Sequence, residues 1–134
     1  MSSIETRRDQ IIVLGSEKWI NQTSIDLGKF QTLPIVLTAP NVSNPQKPAT
    51  IAFEKKFIRT HGRIPSEYAA MGYELTLIVG NQLKKNGVYF QEALSKAPLP
   101  GFLTEGVNYQ QSRSNTLVPF IKFTDGKMVV LEKR

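Results

Sequence analysis

Two short apolar runs open the chain, Gln10-Ile11-Ile12-Val13-Leu14-Gly15 and Pro34-Ile35-Val36-Leu37-Thr38. Continuous runs of this kind, rich in branched residues, predict strands buried on both faces, as in parallel sheets. Between them, Ser16 to Asn21 reads as a polar loop holding the single tryptophan, Trp19. Thr23 or Ser24 then caps a short helix through about Leu33, with Asp26 in its positive first turn. Strand, helix and strand with a short crossover is the signature of an α/β fold.

The apolar spacing then changes to a helical one. Ile51, Phe53, Phe57 and Ile58 predict a helix from Thr50 to about His61, closed by Gly62. Ser66 caps a second helix that runs to about Asn86, with Glu67 in its first turn and Lys84, Lys85 and Gly87 at its end. This helix is long and apolar, and it contains Gly72 and Gly80. Each glycine costs about 1 kcal/mol in a helix interior, so the expectation is close packing onto a sheet or another helix. A third, short helix spans Phe90 to Ala97, stopped by Pro98 and Pro100.

The remaining runs are extended. Ala39 to Pro48 holds three prolines among asparagine and serine, which predicts an extended connection. Gly106 to Gln110 is a candidate strand. Residues 117–123 and 128–131 flank Asp125-Gly126, a strong signal for a β-hairpin. Pro119 lacks an amide donor and points to an edge strand or a bulge.

Composition narrows the class. The chain has 134 residues, 40% of them apolar and 21% charged, as in an ordinary globular protein. It has no cysteine, which excludes disulfides, zinc–cysteine sites and a thiol nucleophile. No apolar run is long enough to span a bilayer, and Met1 to Arg8 lacks the apolar core of a signal peptide. The net charge is +6. The basic residues are spread over both halves with no dense cluster, so a solvated surface is expected rather than a nucleic-acid interface.

The chemistry-bearing motifs are sparse. There is no phosphate-binding loop, and Gly15-Ser16-Glu17-Lys18-Trp19 lacks the glycines of a dinucleotide fingerprint. The one histidine, His61, falls at a helix end, where it complements the dipole. No ligand cluster for a metal is visible, no cofactor is expected, and no catalytic set emerges. The loop after the first strand is the best candidate site, because open α/β sheets bind ligands beyond the carboxyl ends of their strands. There Glu17 could accept from an ammonium or hydroxyl and Trp19 could stack on a ligand face, with Ser16 beside them. The competing reading is a solvated Glu17 and a Trp19 that anchors the loop.

Phe53-Glu54-Lys55-Lys56-Phe57 and His61-Gly62-Arg63-Ile64-Pro65-Ser66-Glu67-Tyr68-Ala69-Ala70-Met71-Gly72-Tyr73-Glu74 resemble type 1 periplasmic solute-binding proteins, including those of branched-chain amino acid ABC transporters and their receptor relatives. Leu83-Lys84-Lys85-Asn86-Gly87 resembles the end of the same helix in that family, and Ile12-Val13-Leu14-Gly15 with Trp19 resembles its second-lobe strand and ligand-facing loop. Gly101 to Asn108 and Phe123-Thr124-Asp125-Gly126-Lys127 resemble its late glycine-containing segment and C-terminal hairpin.

The resemblance implies an α/β chain equivalent to the C-terminal portion of a two-lobed protein, with part of a doubly wound sheet and a C-terminal hairpin. Residues 10–38 and 117–132 would be second-lobe segments, 39–48 a crossover, and 49–113 a first-lobe helical segment. It implies non-catalytic capture of a small polar, amino-acid-like ligand by hinge closure, extracytoplasmic placement, and ABC transporter membrane components as partners. Glu17 matches the position of a carboxylate for the ligand ammonium, with Ser16 and Trp19 as neighbours. Tyr68 matches an aromatic that closes over the ligand, and its other reading is a core aromatic. Lys18-Trp19 departs from the small residues common in the family. The alternative is a degenerate solute-binding fold acting as an interaction module, forming a homo-oligomer if the chain is complete as given.

Overall fold

The computed structural model describes residues 11–24 and 28–131. They fall into two compact units, one formed by residues up to Ala39 together with Pro119 onward, the other by Pro40–Val118.

The first unit is built on a four-stranded sheet with the order β1-β2-β3-β4. β1 is Val13–Ser16, β2 Ile35–Thr38, β3 Phe120–Thr124 and β4 Lys127–Leu131. β1 and β2 are parallel, with Leu14 opposite Val36 and Ser16 opposite Thr38. β2 and β3 are antiparallel with Leu37 opposite Ile121, and β3 and β4 form an antiparallel hairpin with Ile121 opposite Val130. The sheet is therefore mixed. Leu37 and Ile121 are fully buried on one face, joined by Ile35 and by Phe30 from the short helix α1, Lys29–Thr32. The Phe30 ring meets Phe123 at a centroid distance of 5.4 Å. Burying each such side chain is worth about 1.5–3 kcal/mol.

Several elements differ from the sequence expectation. The first strand is not buried on both faces: among the described residues it is an edge strand, and Leu14 is 66% exposed. Leu14 lies on the face opposite Ile35 and Leu37, which α1 does not cover. Of the helix expected from residues 23–24 to 33, the described residues show Lys29–Thr32 as helix, and residues 25–27, Asp26 among them, lie outside the described residues. The loop at Ser16–Asn21 winds into a 3₁₀ helix over Glu17–Asn21. Pro119 marks neither an edge strand nor a bulge. It lies just before β3, an inner strand, and its carbonyl accepts from the Ala39 N–H at 2.8 Å. The hairpin forms as Asp125-Gly126 predicts, with φ of 53° and 72° at the two turn residues.

The second unit is helical. α2 is Pro48–His61 and α3 is Glu67–Asn86. Pro48 supplies the fixed φ favoured in a first turn, and Gly62 closes α2 at φ 66° with its N–H on the Ile58 carbonyl. Ser66 caps α3 as expected, its Oγ accepting from the Ala69 N–H at 3.2 Å. The short helix α4 is Gln91–Lys96. The strand expected at Gly106–Gln110 is reduced to one antiparallel bridge between Leu99 and Val107.

Gly72 and Gly80 are not in close packing. A Cβ at either position would meet nothing within 4 Å. The inward positions of α3 are instead Glu74, Ile78 and Gln82. Of these, Glu74 binds the loop at residues 102–104, where Leu103 is fully buried.

Candidate functional site

The carboxyl ends of the parallel strands β1 and β2 come together at Ser16 and Thr38. The Thr38 hydroxyl donates to the Gly15 carbonyl at 3.3 Å and ties this end of the pair together. Ser16 is extended, with φ −107° and ψ 150°, and serves as N-cap of the 3₁₀ helix. Its Oγ accepts from the Lys18 N–H at 3.4 Å.

Glu17 follows in the first turn of that helix, where the free N–H groups favour a negative charge. It is 9% exposed, so the solvated reading does not hold. Burial of a carboxylate is costly unless it is engaged, and Glu17 is engaged. Trp19 lies two positions further on, with its ring over Gly15. A Cβ at Gly15 would stand 2.6 Å from two Trp19 ring carbons and 2.8 Å from Leu37 Cδ2. Glycine at position 15 is thus what lets the indole lie flat on the strand and against the core. This is the loop anchor that the sequence allowed.

Ser16, Glu17 and Trp19 therefore share one short segment at the end of β1. Tyr68 belongs to the other unit, in the first turn of α3, and is 82% exposed. Among the described residues nothing buries it as a core aromatic. His61 sits in the last turn of α2 with its ring 4.4 Å from that of Phe57. Among the described residues no group of histidine, cysteine, aspartate and glutamate could hold a metal ion. No helix there is long and apolar enough to cross a membrane.

The strongest polar constellation was not singled out from the sequence. Glu74, 6% exposed, accepts from the Phe102 N–H at 3.0 Å, the Leu103 N–H at 2.8 Å and the Thr104 hydroxyl at 2.9 Å. Lys47 Nζ donates to the Gly101 carbonyl at 3.2 Å and to the Thr104 carbonyl. Asn44 donates from its backbone to the Leu103 carbonyl and from its side chain to Glu105. One carboxylate thus takes the loop's donors and one ammonium its acceptors. This is a structural clamp, with its groups satisfied internally. The signal that could have revealed it is Glu74, four residues before Ile78 and eight before Gln82 on one helix face.

No protein-family model and no curated protein matches the chain. Two solved structures are similar in fold. One is an ABC transporter substrate-binding protein from Desulfitobacterium hafniense in complex with leucine, with a TM-score of 0.53 and 20% identity. The other is an ABC transporter substrate-binding protein from the same organism, with a TM-score of 0.55 and 20% identity. Each match covers 96% of this chain and 38% of the matched chain. This chain is an α/β protein sharing the fold of that portion of an ABC transporter substrate-binding protein.

Proposed function

We propose that the chain takes part in non-catalytic capture of a small polar, amino-acid-like solute, within an extracytoplasmic solute-binding protein served by ABC transporter membrane components. The carrying observation is the buried carboxylate of Glu17, held at the carboxyl end of the parallel β1–β2 pair. Open α/β sheets place ligands at such ends. A buried carboxylate there suits an ammonium group, and Ser16 and Trp19 supply a hydroxyl and an apolar ring beside it. The fold shared with two substrate-binding proteins, one bound to leucine, supports this reading.

Calorimetric titration of the natively purified protein with leucine and a series of polar amino acids tests the proposal. Binding of at least one is expected. Glu17→Gln should weaken it by tenfold or more, because the ammonium loses a charged partner in a desolvated site (about 2–5 kcal/mol). Tyr68→Ala tests the second proposed ligand residue in the same titration. If no amino acid gives heat, the solute-capture reading fails and the interaction-module alternative takes its place.

A further inference from the structure

After α4 the chain folds onto itself over residues 108–117. The Asn108 N–H donates to the Asn115 side-chain oxygen at 2.9 Å, and the Leu117 N–H donates to the same oxygen at 3.0 Å. The Thr116 N–H and hydroxyl both donate to the Asn108 carbonyl. The Gln110 N–H donates to the Asn108 side-chain oxygen at 3.0 Å. Two asparagines thus fix this loop through the local side-chain contacts they favour in turns. The Gln110 side chain donates in turn to the Lys96 carbonyl at 3.0 Å, which pins the loop to the last residue of α4. Helix and loop are therefore held in place before any ligand arrives.

Between them lies an open pocket of about 530 Å³, a size within the range of small-molecule sites. Gln91, Leu94 and Ser95 line it from one face of α4, at the i, i+3, i+4 spacing. Tyr109, Ser112 and Arg113 line it from the loop. No carboxylate is among these lining residues, and Arg113 brings a permanent positive charge.

Some of these groups are already spent and others are not. The Ser95 hydroxyl donates to the Glu92 carbonyl at 2.9 Å. Ser112 Oγ accepts from the Ser114 N–H at 3.0 Å, which leaves its own proton to give. Among the described residues the Arg113 guanidinium, the Tyr109 phenol and the Gln91 amide have no hydrogen-bonding or ionic partner. The pocket thus offers donors and no competing anion, which is the chemistry of an anion site. Charge balance selects the anion. A phosphate monoester carries about −1.5 to −2 near neutral pH, against the single cation here. A carboxylate carries one negative charge and matches the planar fork of one arginine. Leu94 and the Tyr109 ring, both half-buried, add an apolar wall for which a bare inorganic anion has no use.

We propose that this pocket binds a small organic carboxylate, with the charge on Arg113 and the apolar body against Leu94 and Tyr109. The site shares no residue with the Glu17 loop, and probes without an ammonium group test it independently of solute capture there. The natively purified, isotope-labelled protein is titrated with benzoate and with isovalerate, and binding is read from amide NMR shifts. Benzamide is the neutral control and inorganic phosphate the competing anion. Saturable shifts are expected at Ser95, Tyr109, Ser112 and Arg113 with at least one carboxylate, and benzamide should bind about tenfold more weakly or worse. Arg113→Gln, at an exposed position, should weaken carboxylate binding by about tenfold or more. Should that variant fold poorly, the comparison of benzoate with benzamide on the parent protein decides alone. The proposal is overturned if neither carboxylate saturates these amides, if benzamide or phosphate binds there as tightly, or if Arg113→Gln leaves the affinity unchanged.

Discussion

The Glu74 carboxylate accepts the Leu103 N–H at 2.8 Å, which ties the middle of α3 to a loop nearly thirty residues away. The same carboxylate takes the Phe102 N–H and the Thr104 hydroxyl. Hydrogen bonds to a buried charge are worth about 1.5–3 kcal/mol, and losing one strands the loop donors. Glu74→Gln keeps the shape but replaces an acceptor oxygen by a donor. It should lower the unfolding free energy by about 1–3 kcal/mol in a denaturant titration. Hydrogen exchange at Phe102 and Leu103 should speed up more than exchange within β3. Unchanged exchange at those two amides would show that the clamp does not hold the loop.

The hairpin, the end of α2 and both ends of α3 were legible because local chemistry decides them, whereas α2 begins at Pro48, two residues before the expected Thr50. Asp125-Gly126 adopts positive φ, Gly62 closes α2, and Ser66 caps α3 by a hydrogen bond only three residues long. What the sequence hid depends on distant partners. The apolar run at residues 11–15 reads as fully buried, but a strand is buried only if layers cover it, and the Leu14 face is uncovered. Gly72 and Gly80 read as close-packed for the same reason. At the candidate site, Ser16, Glu17 and Trp19 were legible as a group because they are adjacent in sequence. The burial of Glu17 and the seat of the indole on Gly15 were not, since both follow from how the 3₁₀ turn folds back on the sheet.

Two glycine-to-alanine changes should have opposite signs. Gly62 sits at φ 66°, where an L side chain costs about 1–2 kcal/mol. Gly62→Ala should therefore destabilise by about that amount. Gly72 is in the interior of α3 with no neighbour in reach of a Cβ. Gly72→Ala in the 134-residue chain should stabilise by about 0.5–1 kcal/mol through the lower entropy of the unfolded chain. Thermal melts of the two variants decide it. A shift of the same sign in both would contradict the assigned backbone or the open space at Gly72.

Gly15→Ala probes the packing of Trp19. The added methyl would fall 2.6 Å from the indole ring, so the ring or the strand must move. Overpacking of this kind costs about 1–3 kcal/mol. Trp19 is the sole tryptophan, so its emission reports the displacement directly. The expected result is a shift to longer wavelength together with a lower melting temperature. Emission identical to the parent would mean that the ring does not lie on Gly15 in solution.

Lys47 and Glu105 form an ion pair at 3.8 Å, with about a third or less of each side chain exposed. Two effects compete in its removal. The pair itself, partly screened by water, is worth about 0–1 kcal/mol. Lys47 also donates to the Gly101 and Thr104 carbonyls, and losing a donor there leaves acceptors in a largely buried loop. That loss costs about 1–3 kcal/mol. Glu105→Gln should accordingly change stability little, all the more because Gln retains an oxygen for the Asn44 side chain. Lys47→Met keeps the aliphatic stem and should destabilise distinctly more. Denaturant midpoints of the two single variants give the order. Equal losses would assign the stability to the ion pair, whereas the carbonyl contacts of Lys47 predict that its loss dominates.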